Sequence, residues 1–239
     1  MKKLYQKDEV WFAVLWIGLY VVGFSLGDGL SEKLGMPKLL TCAVGLVLSA
    51  VLFRFVKQNG LMGYYGLCRP KGERKRTLLY IPLIAMSSVN LWNGVALQAS
   101  PFEIATHILS MATVAFLEEL IFRGLLFNGM RRGGLTAAII VSSLTFGMGH
   151  IVNLLTGAPV FDTLLQLVYA SAIGFCYTAI FIKGGSLLPC ILSHALVNSM
   201  SLFAVQPSAQ AQLFIALATT VISLGYGAWL IKGQSKNIC

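Results

Sequence analysis

Ala115-Phe116-Leu117-Glu118-Glu119-Leu120-Ile121-Phe122-Arg123-Gly124-Leu125-Leu126-Phe127 sets two carboxylates and a guanidinium inside an otherwise apolar run of helical length. Charge is expensive there: insertion scales assign roughly 2.5–3.5 kcal/mol to an Asp, Lys or Arg at the centre of a membrane helix. The three charges therefore need partners, water or chemistry. Helical geometry separates them, because Glu119 and Arg123 share a face about one turn apart and can pair, whereas Glu118 is turned about 100° away. Glu118 is left without a cation in its own helix. Two readings stay open at this point, a base for proton transfer or one member of a buried ion cluster that only fixes helix packing.

The surrounding chain fits a membrane setting. Its 239 residues are 56% apolar and only 11% charged, too few charges to cover a soluble globule. The net charge of +9 raises nucleic acid as a partner, but the basic residues fall in short gaps between apolar runs, where a membrane protein carries its cytoplasmic charge. The fold class expected is all-α, a polytopic membrane helix bundle forming one domain over residues 1–239. With about 20 apolar residues per crossing, about eight transmembrane helices are expected, near 10–27, 38–56, 78–97, 104–129, 134–154, 163–182, 187–205 and 211–231. Lys2, Lys3, Lys7, Lys57, Arg69, Lys71, Arg74, Lys75, Arg76, Arg131, Arg132, Lys183, Lys232 and Lys236 lie in alternate gaps; the others hold Lys33 and Lys38 with Asp28, Glu32, Glu103 and Asp162. Both termini are therefore expected to be cytoplasmic.

Several features carry only ordinary readings. The basic segment from Cys68 to Arg76 reads as a topology anchor at anionic headgroups. Cys42, Cys68, Cys176, Cys190 and Cys239 lack metal or redox spacing, and Cys239, as the last residue, does not make the chain a prenylation substrate. Trp11 to Leu26 reads as a retained first span, since no small-residue cleavage site follows it. His107 is expected at an interface, Asp162 as an N-cap, and Tyr64, Tyr65, Trp11 and Trp16 as interfacial anchors or packing residues.

Two further polar groups interrupt apolar runs. In Thr145-Phe146-Gly147-Met148-Gly149-His150 the two glycines leave space for a close neighbour and His150 ends the run. In Pro189-Cys190-Ile191-Leu192-Ser193-His194-Ala195-Leu196-Val197-Asn198, His194 and Asn198 share one helix face. Each has a purely packing alternative, an interfacial histidine in one case and interhelical hydrogen bonding in the other. At 1.5 Å per residue, Glu118, His150, His194 and Asn198 lie about 20, 24, 10 and 16 Å from the basic ends of their helices, a spread that helix tilt absorbs, so they can converge in the inner half or middle of the bilayer.

Glu118-Glu119-x-x-x-Arg123, Phe146-x-x-x-His150 and His194-x-x-x-Asn198, in this order on membrane helices, resemble the CAAX prenyl protease and bacteriocin-processing family, also called abortive infection intramembrane proteases. The protease-like core spans about 104–205. The resemblance implies an intramembrane endopeptidase acting on a membrane-associated, leader or pheromone-type peptide. Glu118, helped by His150, would activate a water, His194 and Asn198 would stabilise the oxyanion, and Glu119 with Arg123 would support the site. Such hydrolysis needs a base within reach of water and donors aimed at the tetrahedral oxygen. The family is often labelled a metalloprotease, and Glu118, His150 and His194 are the candidates if zinc is bound, although the chain has no H-E-x-x-H helix. The competing readings are a non-proteolytic regulator or bacteriocin-immunity protein of the same family and a small proton-coupled transporter; no repeated half or paired broken helices favour the latter. The lipid bilayer, most simply a bacterial cytoplasmic membrane, is the expected setting.

Overall fold

The protein's structure is a computed structural model that describes residues 1–70 and 80–232. Lys71, Arg74, Lys75 and Arg76 of the basic segment, and Lys236 and Cys239 near the end, lie outside the described residues. Among those described, the chain is all-helical apart from one isolated bridge between Val95 and Ala204. A short α1 (Lys2–Lys7) precedes α2 (Glu9–Lys33) and α3 (Leu39–Gln58). Next come α4 (Ile81–Ser87) and α5 (Pro101–Arg131), whose middle, Glu119–Phe127, is a π-helix. The second half holds α6 (Leu135–Met148, continued as a 3-10 turn to Thr156), α7 (Val160–Gly184), α8 (Leu188–Met200) and α9 (Ala209–Lys232).

Among the described residues six helices, against the eight expected, are long and apolar enough to cross a bilayer: α2, α3, α5, α6 with its extension, α7 and α9. Among the described residues, the segments expected to span at 78–97 and 187–205 hold seven-residue α4 with a 3-10 turn at Val89–Leu91, and thirteen-residue α8 continued by a 3-10 turn at Ser201–Phe203; the α-helical parts are about 10 and 20 Å long against about 30 Å of hydrocarbon. Hydrogen-bonding side chains are the reason. Ser87 and Ser88 donate to the carbonyls of Leu83 and Ala85, Ser201 donates to that of Asn198, and Gly94 takes φ +115. Such local bonds compete with the helix ladder. The two shortened segments then satisfy each other: Ala96 N–H donates to Phe203 O at 2.8 Å, Asn90 Nδ2 to Val197 O at 2.6 Å, and Ser87 meets Ser193 at 3.0 Å. Irregular backbone at membrane depth requires this kind of partner.

Helix starts and crossings follow from particular residues. The Asp8 carboxylate caps α2 by accepting from Val10 and Trp11 N–H, and Ser100 and Glu103 form a reciprocal capping box on α5 with Pro101 in its first turn. Asp162 is not an N-cap, since α7 begins after Pro159; it lies in the first turn, where it still complements the helix dipole. Gly147 lets α6 close onto α7, because a Cβ there would collide with Ser171 Oγ and lie 2.8 Å from Leu167 O. Gly149, expected to make a similar approach, faces open space. Trp16 is buried in the core, whereas Trp11 is exposed.

The end of the bundle carrying most basic residues is closed by the segment after α3. Leu187 N–H donates to Gly66 O at 2.8 Å, Ser186 Oγ to Cys68 O at 2.6 Å and Asn128 Nδ2 to Tyr64 O at 3.3 Å. Gly66 has φ +69 and sits against Phe181, so only glycine combines that backbone with that contact. Tyr65 is buried and donates to Glu9 at 2.6 Å; burial first, and then this bond, push its phenol far above the ordinary tyrosine range, keeping it a donor.

Candidate active site

The site forms where α5 changes from α to π geometry, a feature that recurs at functional positions. Glu118 is the last α-helical residue and Glu119 the first of the π segment. Both carboxylates reach the same imidazole on α8. His194 Nδ1 is 2.9 Å from Glu119 Oε1, and its Nε2 is 3.5 Å from Glu118 Oε2. Glu119 Oε1 also accepts from Arg123 Nη1 at 3.1 Å. Arg123, Glu119 and His194 thus form a continuous buried chain ending at Glu118.

Arg123 is 0% exposed, and the aromatic faces around it supply what the single ion pair does not. Its guanidinium lies 4.0 Å from the Phe146 ring centroid and 5.8 Å from that of Tyr177. Gly174 on α7 makes the room, since a Cβ there would lie 3.1 Å from Arg123 Nη2 and 3.2 Å from Ser143 O. Phe146 also separates the histidines, with ring centroids 5.9 Å from His150 and 5.7 Å from His194. His150 makes no hydrogen bond among the described residues, but Glu118 and His194 are near enough to act on it electrostatically.

Glu118 has different surroundings. Its Oε1 accepts from Tyr20 O–H on α2 at 2.6 Å, while Oε2 is buried with no hydrogen-bond donor among the described residues. Asn198 lies one turn after His194 and is half-buried. Its carbonyl accepts from Ser201 Oγ at 2.6 Å and lies 3.2 Å from His107 Nε2, while its side chain forms no hydrogen bond among the described residues. The structure therefore brings Glu118, Glu119, Arg123 and His194 into direct contact. It sets His150 beside them across Phe146 and Asn198 one turn beyond His194.

Tyr20 was missed by the sequence reading, yet α2 carried a signal. Phe12, Trp16, Tyr20 and Phe24 repeat every four residues, an inward-facing ladder whose one phenol hydroxyl points a donor into the bundle. His107 is not simply interfacial, because its ring contacts the backbone of Asn198. Tyr177 packs 6.1 Å from His194 and donates to Ser193 at 3.0 Å, steadying the next residue of α8.

No group of three His, Cys, Asp or Glu side chains among the described residues is arranged to hold a metal ion. In particular, Glu118, His150 and His194 do not form such a set.

The fold and the site define an integral membrane protein with a carboxylate and imidazole cluster in its interior. Residues 100–200 match the family of the type II CAAX prenyl endopeptidases, described as Rce1-like. The matched segment contains every motif residue from Glu118 to Asn198. No curated protein matches the chain.

Proposed function

We propose that the protein is an endopeptidase that hydrolyses a peptide bond of a membrane-associated or leader-type peptide, working within a bacterial cytoplasmic membrane with both termini cytoplasmic. The observation that carries this reading is the clamp on His194. Glu119 holds Nδ1, which turns Nε2 toward Glu118 Oε2 and the reacting region. Glu118 Oε2, free of other donors among the described residues, takes the proton of a water whose oxygen attacks the peptide carbonyl carbon. His150, on the other side of Phe146, helps position that water.

As the tetrahedral intermediate forms, its oxyanion accepts from His194 Nε2–H and Asn198 Nδ2–H. Glu119 holds the ring from Nδ1 while Nε2 serves the oxyanion. Collapse breaks the C–N bond, and Glu118 returns its proton to the leaving amine. Arg123 holds Glu119 in place, and Tyr20 fixes the rotation of the Glu118 carboxylate so that Oε2 faces the water.

The test compares membrane and secreted peptides from cells carrying the wild-type chain or Glu118→Ala. Products present with the wild type and missing with the variant, at equal levels of folded protein, are expected. A Glu118→Ala protein that still cleaves sinks the catalytic assignment. An intact biological effect without cleavage favours the non-proteolytic regulator. Cleavage by purified protein is expected to persist after treatment with a chelator.

A further inference from the structure

The last four carbonyls of a helix have no partner within it, and at membrane depth water does not readily supply one. At the end of α8 the partners come from other elements. Asn90 Nδ2 donates to Val197 O at 2.6 Å, and Asn198 O accepts from both the N–H and the hydroxyl of Ser201, the latter at 2.6 Å. His107, half-buried on α5, completes the set, with Nε2 3.2 Å from Asn198 O and 3.4 Å from Ser201 Oγ. The neighbouring Thr106 is buried, its hydroxyl 3.2 Å from Pro37 O and 3.0 Å from Phe102 O, which ties this turn of α5 to the α2–α3 connection.

These partners fix where the proton of the His107 ring sits. A carbonyl only accepts, and Ser201 directs its own hydroxyl proton at Asn198 O, so the Ser201 oxygen is also left to accept. Nε2 therefore carries a proton and shares it between the two. The Asn198 side chain has no hydrogen bond of its own among the described residues, so the direction of its amide follows from the main chain that carries it. His107 and Glu118 are eleven residues apart, within about 20° of one face of α5. That face holds α8 at two places, the His194 ring through Glu118 and Glu119 and the Asn198 backbone through His107.

We propose that His107 is a positioning residue for peptide hydrolysis, which does not meet the substrate but aims Asn198 Nδ2–H at the oxyanion by holding the Asn198 main chain. This rests on the peptidase reading above, in which Asn198 supplies that donor. An oxyanion donor acts at about 2.7–3.1 Å from the developing charge, so a displacement of about 1 Å in the last turn of α8 removes much of its effect. Asn90 still holds Val197 when His107 is replaced, so the turn shifts and the helix stays folded.

One arm of the test does not use catalysis. The chain has 3 histidines, so nitrogen-15 labelling of histidine in the purified protein gives three imidazoles, and the one missing from His107→Gln is that of His107. A protonated Nε2 is expected; a ring protonated on Nδ1 alone overturns the proposal. The second arm follows, with purified protein in phospholipid vesicles, the peptide whose cleavage distinguishes wild type from Glu118→Ala. His107→Leu is expected to lower kcat about tenfold, part of the 10²–10³-fold effect of removing a donor outright, with KM nearly unchanged. His107→Gln, whose amide nitrogen takes the place of Nε2, is expected to restore most of the rate. Asn198→Ala is expected to lower kcat by about 10²-fold or more, and His107→Leu added to it to lower kcat no further, because no donor is left to aim. Effects of the two substitutions that multiply, or a wild-type kcat in His107→Leu, overturn the proposal, since a contact that only packs α5 on α8 gives those results. His107→Asn, polar but too short to reach Asn198 O, makes the same comparison where His107→Leu does not fold. Equal cleavage by wild type and Glu118→Ala would instead strike the peptidase reading and leave the imidazole measurement standing.

Discussion

The two sides of the His194 ring are built from the same kind of group and differ in almost everything else. On the Nδ1 side, Glu119 is fully buried, shares one oxygen between His194 and Arg123, and is backed by Phe146, Tyr177 and the close approach of Gly174. On the Nε2 side, Glu118 has a single phenol donor on Oε1 and no guanidinium, with the imidazole 3.5 Å away; the second oxygen of each carboxylate has no hydrogen-bond donor among the described residues. A carboxylate paired with a guanidinium holds a structure; one without that cation, beside an oriented imidazole, is suited to move a proton. Adjacent residues in the sequence thus receive opposite work, and substitutions on each side should fail in opposite ways.

Glu118→Gln is the strongest attempt to break this contrast. It keeps the shape and the Tyr20 contact but removes the base, so the cleavage rate is expected to fall by about 10²–10⁴-fold with little change in thermal stability. A stability loss as large as that of the Arg123 variant would show that the two sides are not distinct. Arg123→Met should behave in reverse. Removing one partner of a buried pair costs about 3–5 kcal/mol, because Glu119 is left uncompensated, and this is expected as a lowered unfolding temperature in detergent and poor recovery of folded protein. Rescue by Arg123→Met with Glu119→Gln would confirm that the loss comes from the stranded charge.

What the sequence revealed about this site divides along local and tertiary lines. The Glu119–Arg123 pair was legible because i, i+4 spacing fixes it within one helix, and the isolation of Glu118 from that cation followed from the same geometry. That His194 is shared by both carboxylates was not legible, since it depends on how α8 docks on α5 at the α-to-π junction. Hydropathy marked the membrane class and six long helices, but among the described residues 78–97 and 187–205 form shorter helices than a hydropathy average suggests. An apolar average does not register Ser87, Ser88, Asn90 and Gly94 drawing the backbone out of the helix. Gly147 and Gly149 looked equivalent in sequence, yet only Gly147 faces α7.

Gly174→Ala gives a smaller effect on the closed side. The new methyl would meet Arg123 Nη2 and Phe146 Cδ1, both at 3.1 Å, and Ser143 O at 3.2 Å. The carbonyl belongs to helix backbone and cannot swing aside as a side-chain tip can. Overpacking of this kind costs about 1–3 kcal/mol, expected as a shift in thermal unfolding that Phe146→Leu partly relieves. If activity alone fell while stability held, the aromatic box would belong to the reactive side.

Tyr20→Phe should give the smallest change, and it sharpens the comparison most directly because it touches only Glu118. The ring stays in its ladder with Phe24, whose centroid is 4.6 Å away, so packing is conserved and only the 2.6 Å hydrogen bond is lost. A hydrogen bond to a charged group contributes about 1.5–3 kcal/mol, but water reaching the freed oxygen would replace part of it. The expected outcome is a roughly tenfold lower kcat, equivalent to about 1.4 kcal/mol, with KM and unfolding temperature nearly unchanged. The kcat and KM split matters here. A tyrosine that merely packed α2 against α5 would lower stability or leave both constants alone, whereas one that sets the rotation of the Glu118 carboxylate acts on the chemical step. An unchanged kcat in Tyr20→Phe would therefore return Tyr20 to the packing ladder and leave Glu118 oriented by His194 alone.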